Sequence, residues 1–276
     1  MWRAKSVLGL SVGLMVAVCA SAMAWAGEEQ GGRRAADVYL LNADGKVWKN
    51  GAYSEELSTR VKIRAVGVAG SQKMKALPIL DASGPVYTNG IVLNIVIPFK
   101  IDAVAVAVVG LEMYVLDGSR GEVWRYFREG PAKGQWKREQ GKEHFAKGRC
   151  VDLAVAGPEE DKVDRKVYLL GANSKVFLDG KEAPGLAPST GLNKPCAIAV
   201  EGEDVYVLDG ANGKVYKNGQ HDAKLSTSVF VECVGFDVKG GTAYILVKDG
   251  GVYVNGQKDP SVSSNVTSAF VGICVK

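Results

Sequence analysis

Two aspartates interrupt strand-like segments whose neighbouring residues are apolar. Asp152 lies in the segment CVDLAV and Asp237 in VGFDV. An unpaired carboxylate is costly to bury, so each should meet water, backbone amides, a cation or a polar ligand. We predict water and backbone amides as the main partners. A metal-assisted hydrolase or lyase reaction at these two acids is kept as an alternative.

A second group of polar residues lies six positions before the valine on which these segments are aligned. Most residues at these positions are charged, some positively and some negatively, and together they form a ring of mixed charge at one end of the segments. Such a ring could hold an anionic or zwitterionic ligand, although charged residues at strand ends are commonly only solvated. The charged members of the ring are Lys62, Asp102, Arg149, Lys194 and Glu232.

A basic and aromatic stretch begins at Trp124 and continues to Arg149. Basic residues among aromatic residues can grip an acidic glycan, a phosphate group or a protein partner, and they also suit a long solvent-exposed hairpin. We predict an insertion near residues 131–149 that binds a partner. Its candidate contacts are Arg125, Arg128, Trp136, Lys137 and Arg138.

Other chemistry is not indicated. The chain has only two histidines, His144 and His221, and contains no GxSxG, Walker or HExxH motif. We therefore predict no catalytic residue and no cofactor, and a zinc site is disfavoured. Beyond residue 26, the cysteines lie in or just before apolar segments, which favours buried free thiols over two disulfides. They are Cys150, Cys196, Cys233 and Cys274.

A repeat reveals the elements that must position these residues. One unit reads DVYVLDGANGKVYKNG from Asp204: two strand patterns joined by a glycine-containing turn, then Asn-Gly, which favours a type I′ hairpin. The valine of the second strand pattern recurs at steps of 39, 37, 53, 39 and 37 residues. The long third step indicates a surface insertion that leaves the core intact. These valines are Val47, Val86, Val123, Val176, Val215 and Val252.

Four antiparallel strands in about 38 residues are typical of one β-propeller blade. We predict an all-β fold for residues 37–276, a six-bladed β-propeller with four-stranded antiparallel blades. The first unit begins at its second strand, and VGICV from Val271 can supply the missing inner strand. The C-terminal strand would then close the ring and protect both edges. An open β-solenoid is the alternative architecture.

The N-terminus has the composition of a secretory signal peptide. Arg3 and Lys5 precede an apolar stretch, and small residues follow at 24–26. We predict a signal peptide over residues 1–26, a flexible segment over 27–36 and a secreted or periplasmic mature protein without a transmembrane segment. An uncleaved membrane anchor is the alternative. Loss of Arg3 and Lys5 lowers the net charge of +4 by two, which leaves too little to predict nucleic-acid binding.

The repeats resemble six-bladed propellers of the NHL and TolB-like superfamily. Units such as VYVLDGANGKVYKNG form the second and third strands there, and the resemblance covers roughly Asp37 to Lys276. It implies the architecture more than an activity. Some members are lactonases or lyases that hold a metal in the channel with acids and histidines, and this chain has no such histidine set. The VYKNG units also resemble, more distantly, tectonin-type lectin propellers.

These observations predict a non-catalytic binding or scaffold protein that recognises a protein partner or a small polar ligand through a propeller face. A carbohydrate-binding propeller lectin is the first alternative, and the metal-assisted hydrolase or lyase is the second. A lectin needs aromatic side chains at its surface, whereas a scaffold can bury them all. The aromatic residues in question are Trp48, Tyr87, Trp124, Tyr216 and Tyr253.

Overall fold

Six sheets of short antiparallel strands make up the part of the chain that the structure describes. In this computed structural model the described residues are 36–276 without 72, 75, 94, 96–100, 129–135, 140–143, 159–163, 230–231 and 267. The predicted signal peptide and nearly all of the predicted segment 27–36 lie outside them. Within the described part of the chain, no helix is long and apolar enough to cross a membrane.

Each blade has four strand positions, counted outward from the axis, and strand labels follow chain order. The inner strands are β4 (Ala65–Val68), β8 (Ala103–Val109), β13 (Cys150–Ala156), β17 (Pro195–Glu201), β21 (Cys233–Lys239) and β25 (Phe270–Val275). The second strands are β1 (Val38–Asn42), β5 (Ile79–Asp81), β9 (Glu112–Asp117), β14 (Lys166–Gly171), β18 (Asp204–Asp209) and β22 (Thr242–Val247).

The third and outer strands are shorter on average. The third strands are β2 (Val47–Lys49), β6 (Val86–Thr88), β10 (Glu122–Arg128), β15 (Val176–Leu178), β19 (Lys214–Lys217) and β23 (Val252–Val254). The outer strands are β3 (Ala52–Ser54), β7 (Ile91–Val92), β11 (Trp136–Arg138), β16 (Lys181–Glu182), β20 (Gln220–Asp222) and β24 (Gln257–Lys258). Blade three also has β12 (His144–Phe145), which pairs with β10.

The strands assemble into a closed ring of blades. β25 is the inner strand of blade one, because it pairs antiparallel with β1 and brings Val275 opposite Val38. Each inner strand also contacts the inner strands of both neighbouring blades, and β21 of blade six contacts β25 of blade one. The prediction of a six-bladed β-propeller closed by the C-terminal strand is confirmed, and the solenoid alternative is wrong.

The hydrophobic core lies between successive blades. Side chains alternate between the two faces of each sheet, so every blade packs against two neighbours. One buried cluster joins Tyr114 and Leu116 of blade three to Leu153 of blade four, and another joins Leu40 of blade one to Leu246 of blade six. Burial of this apolar surface is the main favourable term that holds the ring together.

Asparagine-glycine turns join the third and outer strands as the sequence predicts. Asn50 has a φ of 48° and Gly51 a φ of 75°, the left-handed pair that a type I′ turn needs. The Asn50 side chain has a second role, because its Oδ1 accepts a hydrogen bond of 2.8 Å from the Val38 amide. Asn218 makes the equivalent contact in blade five. In blade three the sequence has Glu129-Gly130 in place of Asn-Gly, and this pair lies outside the described residues.

The strand register corrects one alignment made from the sequence. In blade two, Gly67 lies opposite Leu80, so Val68 is the equivalent of Val106 and not of Val108. The reason is that β4 is shorter than the other inner strands and ends at Val68, whereas alignment on the last valine assumes equal lengths. The equivalent reference residues are Gly67, Ala105, Asp152, Ala197, Gly235 and Gly272.

Candidate binding sites in the channel and on one face

A polar channel runs along the axis of the ring. The six inner strands enclose a cavity of about 430 Å³. Each inner strand is hydrogen-bonded to its own blade along one edge, so the N–H and C=O groups of the other edge are available to the channel. Asp152 and Asp237 are among the lining residues, and both are half-buried.

Asp152 connects two neighbouring inner strands. Its Oδ2 atom accepts a hydrogen bond of 2.8 Å from the amide of Ile198, on the inner strand of the next blade. The carboxylate also accepts from the amide of Leu153 on its own strand. Since Leu153 and Ile198 are equivalent in register, one carboxylate clamps two edge amides at the same level of the channel.

Asp237 repeats this arrangement two residues further along the channel. Its Oδ2 accepts a hydrogen bond of 2.8 Å from the amide of Val275, on the inner strand of blade one. Its Oδ1 accepts from the amide of Val238, also at 2.8 Å. Blades four and five, and blades six and one, are thus joined by the same device.

Both channel acids lose their proton at a higher pH than ordinary aspartates. Burial raises the pKa of Asp152 to about 7 and the pKa of Asp237 to about 6. The amide hydrogen bonds oppose these shifts, because they favour the charged carboxylate. The negative charge of Asp237 further raises the pKa of Asp152. The charge of the channel therefore depends on pH close to neutrality.

The predicted partners of the two acids include backbone amides, and the hydrogen bonds supply them. Each carboxylate therefore has a structural role in joining inner strands. Among the residues that the structure describes, no group of three or more histidine, cysteine, aspartate and glutamate side chains could hold a metal ion. Binding of a cation or a polar ligand by Asp152 and Asp237 stays a prediction.

The four cysteines of the propeller are free thiols. Cys150, Cys233 and Cys274 are buried, and Cys196 is partly exposed. The Cys196 thiol lies 3.3 Å from the carbonyl oxygen of Cys233 on the next inner strand, which suits an S–H donor. Burial raises the pKa of Cys196 to about 12, so little reactive thiolate forms at neutral pH.

The predicted charged ring lies at the end of the channel where the inner strands begin, with one change of membership. The register places Arg64, two residues after Lys62, at the ring position of blade two. The Arg64 carbonyl accepts a hydrogen bond of 2.8 Å from the amide of Ala82, just after the second strand. The other ring residues make the corresponding bond: Asp102, Arg149, Lys194, Glu232 and Ala269.

Some residues of this ring form ion pairs within the described part of the chain. Glu232 lies 3.1 Å from Lys194 and 3.2 Å from Lys248, and these contacts lower the pKa of Glu232. Lys62 lies 3.7 Å from Asp44, and both side chains are strongly exposed. Ion pairs this exposed contribute little to stability. Ligand binding by the ring stays a prediction.

Arg125, predicted as a partner contact, lies in a buried ion network of blade three. Its guanidinium lies 2.8 Å from Glu112 and 2.9 Å from Glu139. Glu112 also accepts a hydrogen bond of 2.7 Å from the Tyr114 hydroxyl and lies 3.4 Å from Arg165. Arg125 and its partners therefore hold blade three to the segment that precedes β14.

Three of the other predicted contacts, Trp136, Lys137 and Arg138, lie on β11, the outer strand of blade three. β11 pairs with β10 and places Trp136 opposite Arg128. Trp136 is buried, whereas Lys137 and Arg138 are exposed. The Arg138 guanidinium lies 4.4 Å from the ring centre of Trp124, a cation–π contact. Residues 131–135 and 140–143 lie outside the described part, and partner binding by the insertion stays a prediction.

The aromatic residues considered as sugar platforms are largely internal. Trp48, Trp124 and Tyr253 are buried, and Tyr87 and Tyr216 are half-buried. Trp48 packs on Phe270 with ring centres 5.0 Å apart. Trp48, Tyr87, Trp124 and Tyr253 are part of the packing between sheets, the role that a scaffold would give them. Tyr216 packs on His221 of its own blade, with ring centres 5.7 Å apart.

Sequence analysis missed a surface feature in the connectors between blades. Three connectors lead out of blades one, five and six, which are adjacent in the ring, into the blade that follows. They are residues 57–64, 225–232 and 262–269. Each places an exposed valine three residues before the ring position: Val61 is 54% exposed, Val229 47% and Val266 46%. We call the described residues of these three connectors, 57–64, 225–229, 232, 262–266 and 268–269, the connector face. The signal in the sequence is the recurrence of LSTRV, LSTSV and VSSNV.

Each connector is held by the same two hydrogen bonds. Ser58 Oγ accepts from the Val47 amide at 2.9 Å and donates to the Ser54 carbonyl at 2.6 Å. Ser226 and Ser263 make the equivalent pairs at the same distances. Each exposed valine therefore lies three residues after a serine that is anchored to its own blade, and a partner that binds an anchored segment has less conformational entropy to overcome.

A cavity adjoins one of these valines. It has a volume of about 370 Å³ and is lined by Val266 together with Asp249, Lys258, Ser264 and Asn265, among others. The amide of Val266 is bonded to the Ser264 hydroxyl at 3.2 Å, which fixes the backbone beside the cavity. The connector face thus has a surface cavity as well as exposed apolar side chains.

Comparison with known proteins supports the fold alone. No protein-family model matches the chain, and no curated protein matches its sequence. A chain of the nidogen/laminin complex superposes with a TM-score of 0.59 at 11% identity, covering 87% of this chain and 98% of that one. A chain of BBS1N in complex with ARL6DN gives 0.51 at 17% identity, covering 81% and 74%. A protein of unknown function from Bacteroides thetaiotaomicron gives 0.56 at 14% identity, covering 87% and 70%.

Proposed function

We propose that this propeller is a secreted or periplasmic binding module or scaffold without catalytic activity, and that it recognises a protein partner through the connector face. The observation that carries the proposal is the triplet Val61, Val229 and Val266, exposed at one position of three successive blades. Single exposed apolar side chains are ordinary. Their repetition at one position of three adjacent blades supports an interaction surface on this face.

Two further observations support a protein partner. Similar folds occur in the protein complexes named nidogen/laminin and BBS1N with ARL6DN. The burial of Trp48, Trp124 and Tyr253 leaves these aromatic rings without the exposed face that a sugar platform requires. Membership of the NHL and TolB-like superfamily, suggested by the repeat, is part of this proposal, as is cleavage of the signal peptide.

Site-specific photocrosslinking in the producing cells tests the proposal. A photoreactive phenylalanine analogue replaces Val229 in one variant and Lys166, an exposed residue of blade four, in the control. We expect a covalent adduct with a discrete partner from position 229, and loss of that adduct when Val61 and Val266 are changed to serine. Adducts only from position 166, or a yield unaffected by the serine changes, would contradict the proposal. N-terminal sequencing of the exported protein should begin at Gly27.

A further inference from the structure

The charge around the connector face specifies the kind of partner. The connector 57–64 reads LSTRVKIR and contains three basic residues, Arg60, Lys62 and Arg64, but no acidic residue. All three are exposed and flank the exposed Val61. One end of the connector face therefore offers an aliphatic group surrounded by positive charge.

The described carboxylates near this connector, which include Asp44 and Asp81, balance its charge in part. Asp44 is the described partner of Lys62, at 3.7 Å between two strongly exposed side chains, which is a weak contact. Glu232, the acidic residue of the other two connectors, lies between Lys194 and Lys248 and is outnumbered by them. The basic charge of the connector face is therefore concentrated at Arg60, Lys62 and Arg64.

Backbone contacts keep the basic connector in place. The Arg64 amide donates to Asp81 Oδ2 at 2.8 Å, and the Thr59 amide donates to the Gly45 carbonyl at 2.9 Å. Thr59 Oγ1 donates to the Val61 carbonyl at 2.9 Å. The side chains of Arg60, Lys62 and Arg64 thus project from an ordered backbone, an arrangement suited to carboxylates of a partner.

We propose that the connector face docks an acidic polypeptide segment that carries aliphatic side chains. The aliphatic groups would contact Val61, Val229 and Val266. The carboxylates would pair with Arg60, Lys62 and Arg64. This inference rests on the proposed function and adds the chemistry of the partner.

A defined peptide tests the charge of the partner. The probe is a synthetic 12-residue peptide of three Glu-Leu-Asp-Gly repeats, titrated into the purified protein carrying ¹³C-labelled valine methyl groups. We expect the peptide to shift the methyl signals of Val61, Val229 and Val266. The affinity fitted from these shifts should fall at least fivefold between 0.05 and 0.5 M salt, since screening shortens the range of the attraction. Control peptides carry lysine in place of the acids, or serine in place of leucine, and both should bind at least fivefold more weakly.

Charge reversal separates this inference from the proposed function. The Arg60→Glu and Lys62→Glu double variant should bind the peptide at least fivefold more weakly, while Lys166→Glu with Lys181→Glu on blade four should bind it normally. The proposal of an acidic partner is overturned if the lysine peptide binds equally well, or if the Arg60→Glu and Lys62→Glu variant binds the acidic peptide normally. If the photocrosslinked partner still depends on Val61 and Val266 in that case, the proposed function stands; if it does not, both fail.

Discussion

The channel and the connector face use their unusual side chains in opposite ways. In the channel, Asp152 and Asp237 are each occupied by two backbone amides from adjacent inner strands. On the connector face, Val61, Val229 and Val266 remain exposed although a serine three residues before each of them is bonded to its own blade. The two carboxylates bond to backbone groups of the ring, whereas the three valine side chains keep about half of their surface exposed.

This difference guides the search for function in a propeller. A polar residue in a channel attracts attention, but an acid that satisfies edge amides contributes to the ring itself. Exposed apolar groups at equivalent positions give the fold no comparable contact, so recognition is the better account of them. Variants in the two regions should accordingly affect different measurements, stability for the first and binding for the second.

The largest expected effect comes from the buried ion network of blade three. Glu112→Ala would leave the guanidinium groups of Arg125 and Arg165 without their shared carboxylate, at a cost of about 3–5 kcal/mol. The matched control Glu232→Ala removes an exposed carboxylate that also pairs with two cations, and it should lower the free energy of unfolding much less. Urea unfolding of both variants measures the contrast. Equal losses would mean that burial of the network does not matter.

The channel clamps should come next. Asp152→Ala and Asp237→Ala each leave two edge amides without their acceptor, and we expect each to lower the free energy of unfolding by about 1–3 kcal/mol. Asp102→Ala, which removes an exposed acid at the mouth of the channel, is the control and should stay within about 0.5 kcal/mol of the wild type. Unchanged stability in the first two variants would show that channel water replaces the carboxylates at no cost.

The pH dependence of stability sharpens the same point. Since the pKa of both acids is raised in the folded state, the folded protein binds more protons than the unfolded chain between about pH 4 and pH 7. Stability from these groups is therefore present at low pH and is lost as pH rises through 6 to 7.

Comparison with the Asp152→Asn and Asp237→Asn double variant isolates this effect, because the amide side chain cannot ionise. The melting temperature of the variant relative to the wild type should increase between pH 5 and pH 8. A constant difference across this range would contradict the raised pKa values of the two acids.

The sequence predicts the fold far better than the site. The Asn-Gly turns and the equally spaced valines of the third strands carry strong local signals, and closure follows from the missing inner strand at Asp37. The register of β4 was not predictable from the last valine, because its shorter length depends on where β5 begins. Alignment on the last valine therefore gives Lys62 the ring position that Arg64 occupies.

The roles of individual residues needed three-dimensional contacts. Asp152 and Asp237 are recognisable in sequence as misplaced acids, but the amides they accept lie on neighbouring blades. Arg125 belongs to a basic stretch in the sequence, yet its partner Glu112 makes it an internal residue. The LSTxV pattern was visible in the sequence, but only exposure separates Val61 and Val229 from core valines.

The most direct test compares the affinity of the photocrosslinked partner for variants of the two regions. Purified partner is titrated calorimetrically against the wild type, the triple variant Val61→Ser, Val229→Ser and Val266→Ser, and the Asp152→Asn and Asp237→Asn double variant. We expect the triple variant to bind at least tenfold more weakly with its melting temperature preserved, and the double variant to bind normally. Normal binding by the triple variant together with loss of binding by the double variant would contradict the account and place recognition in the channel.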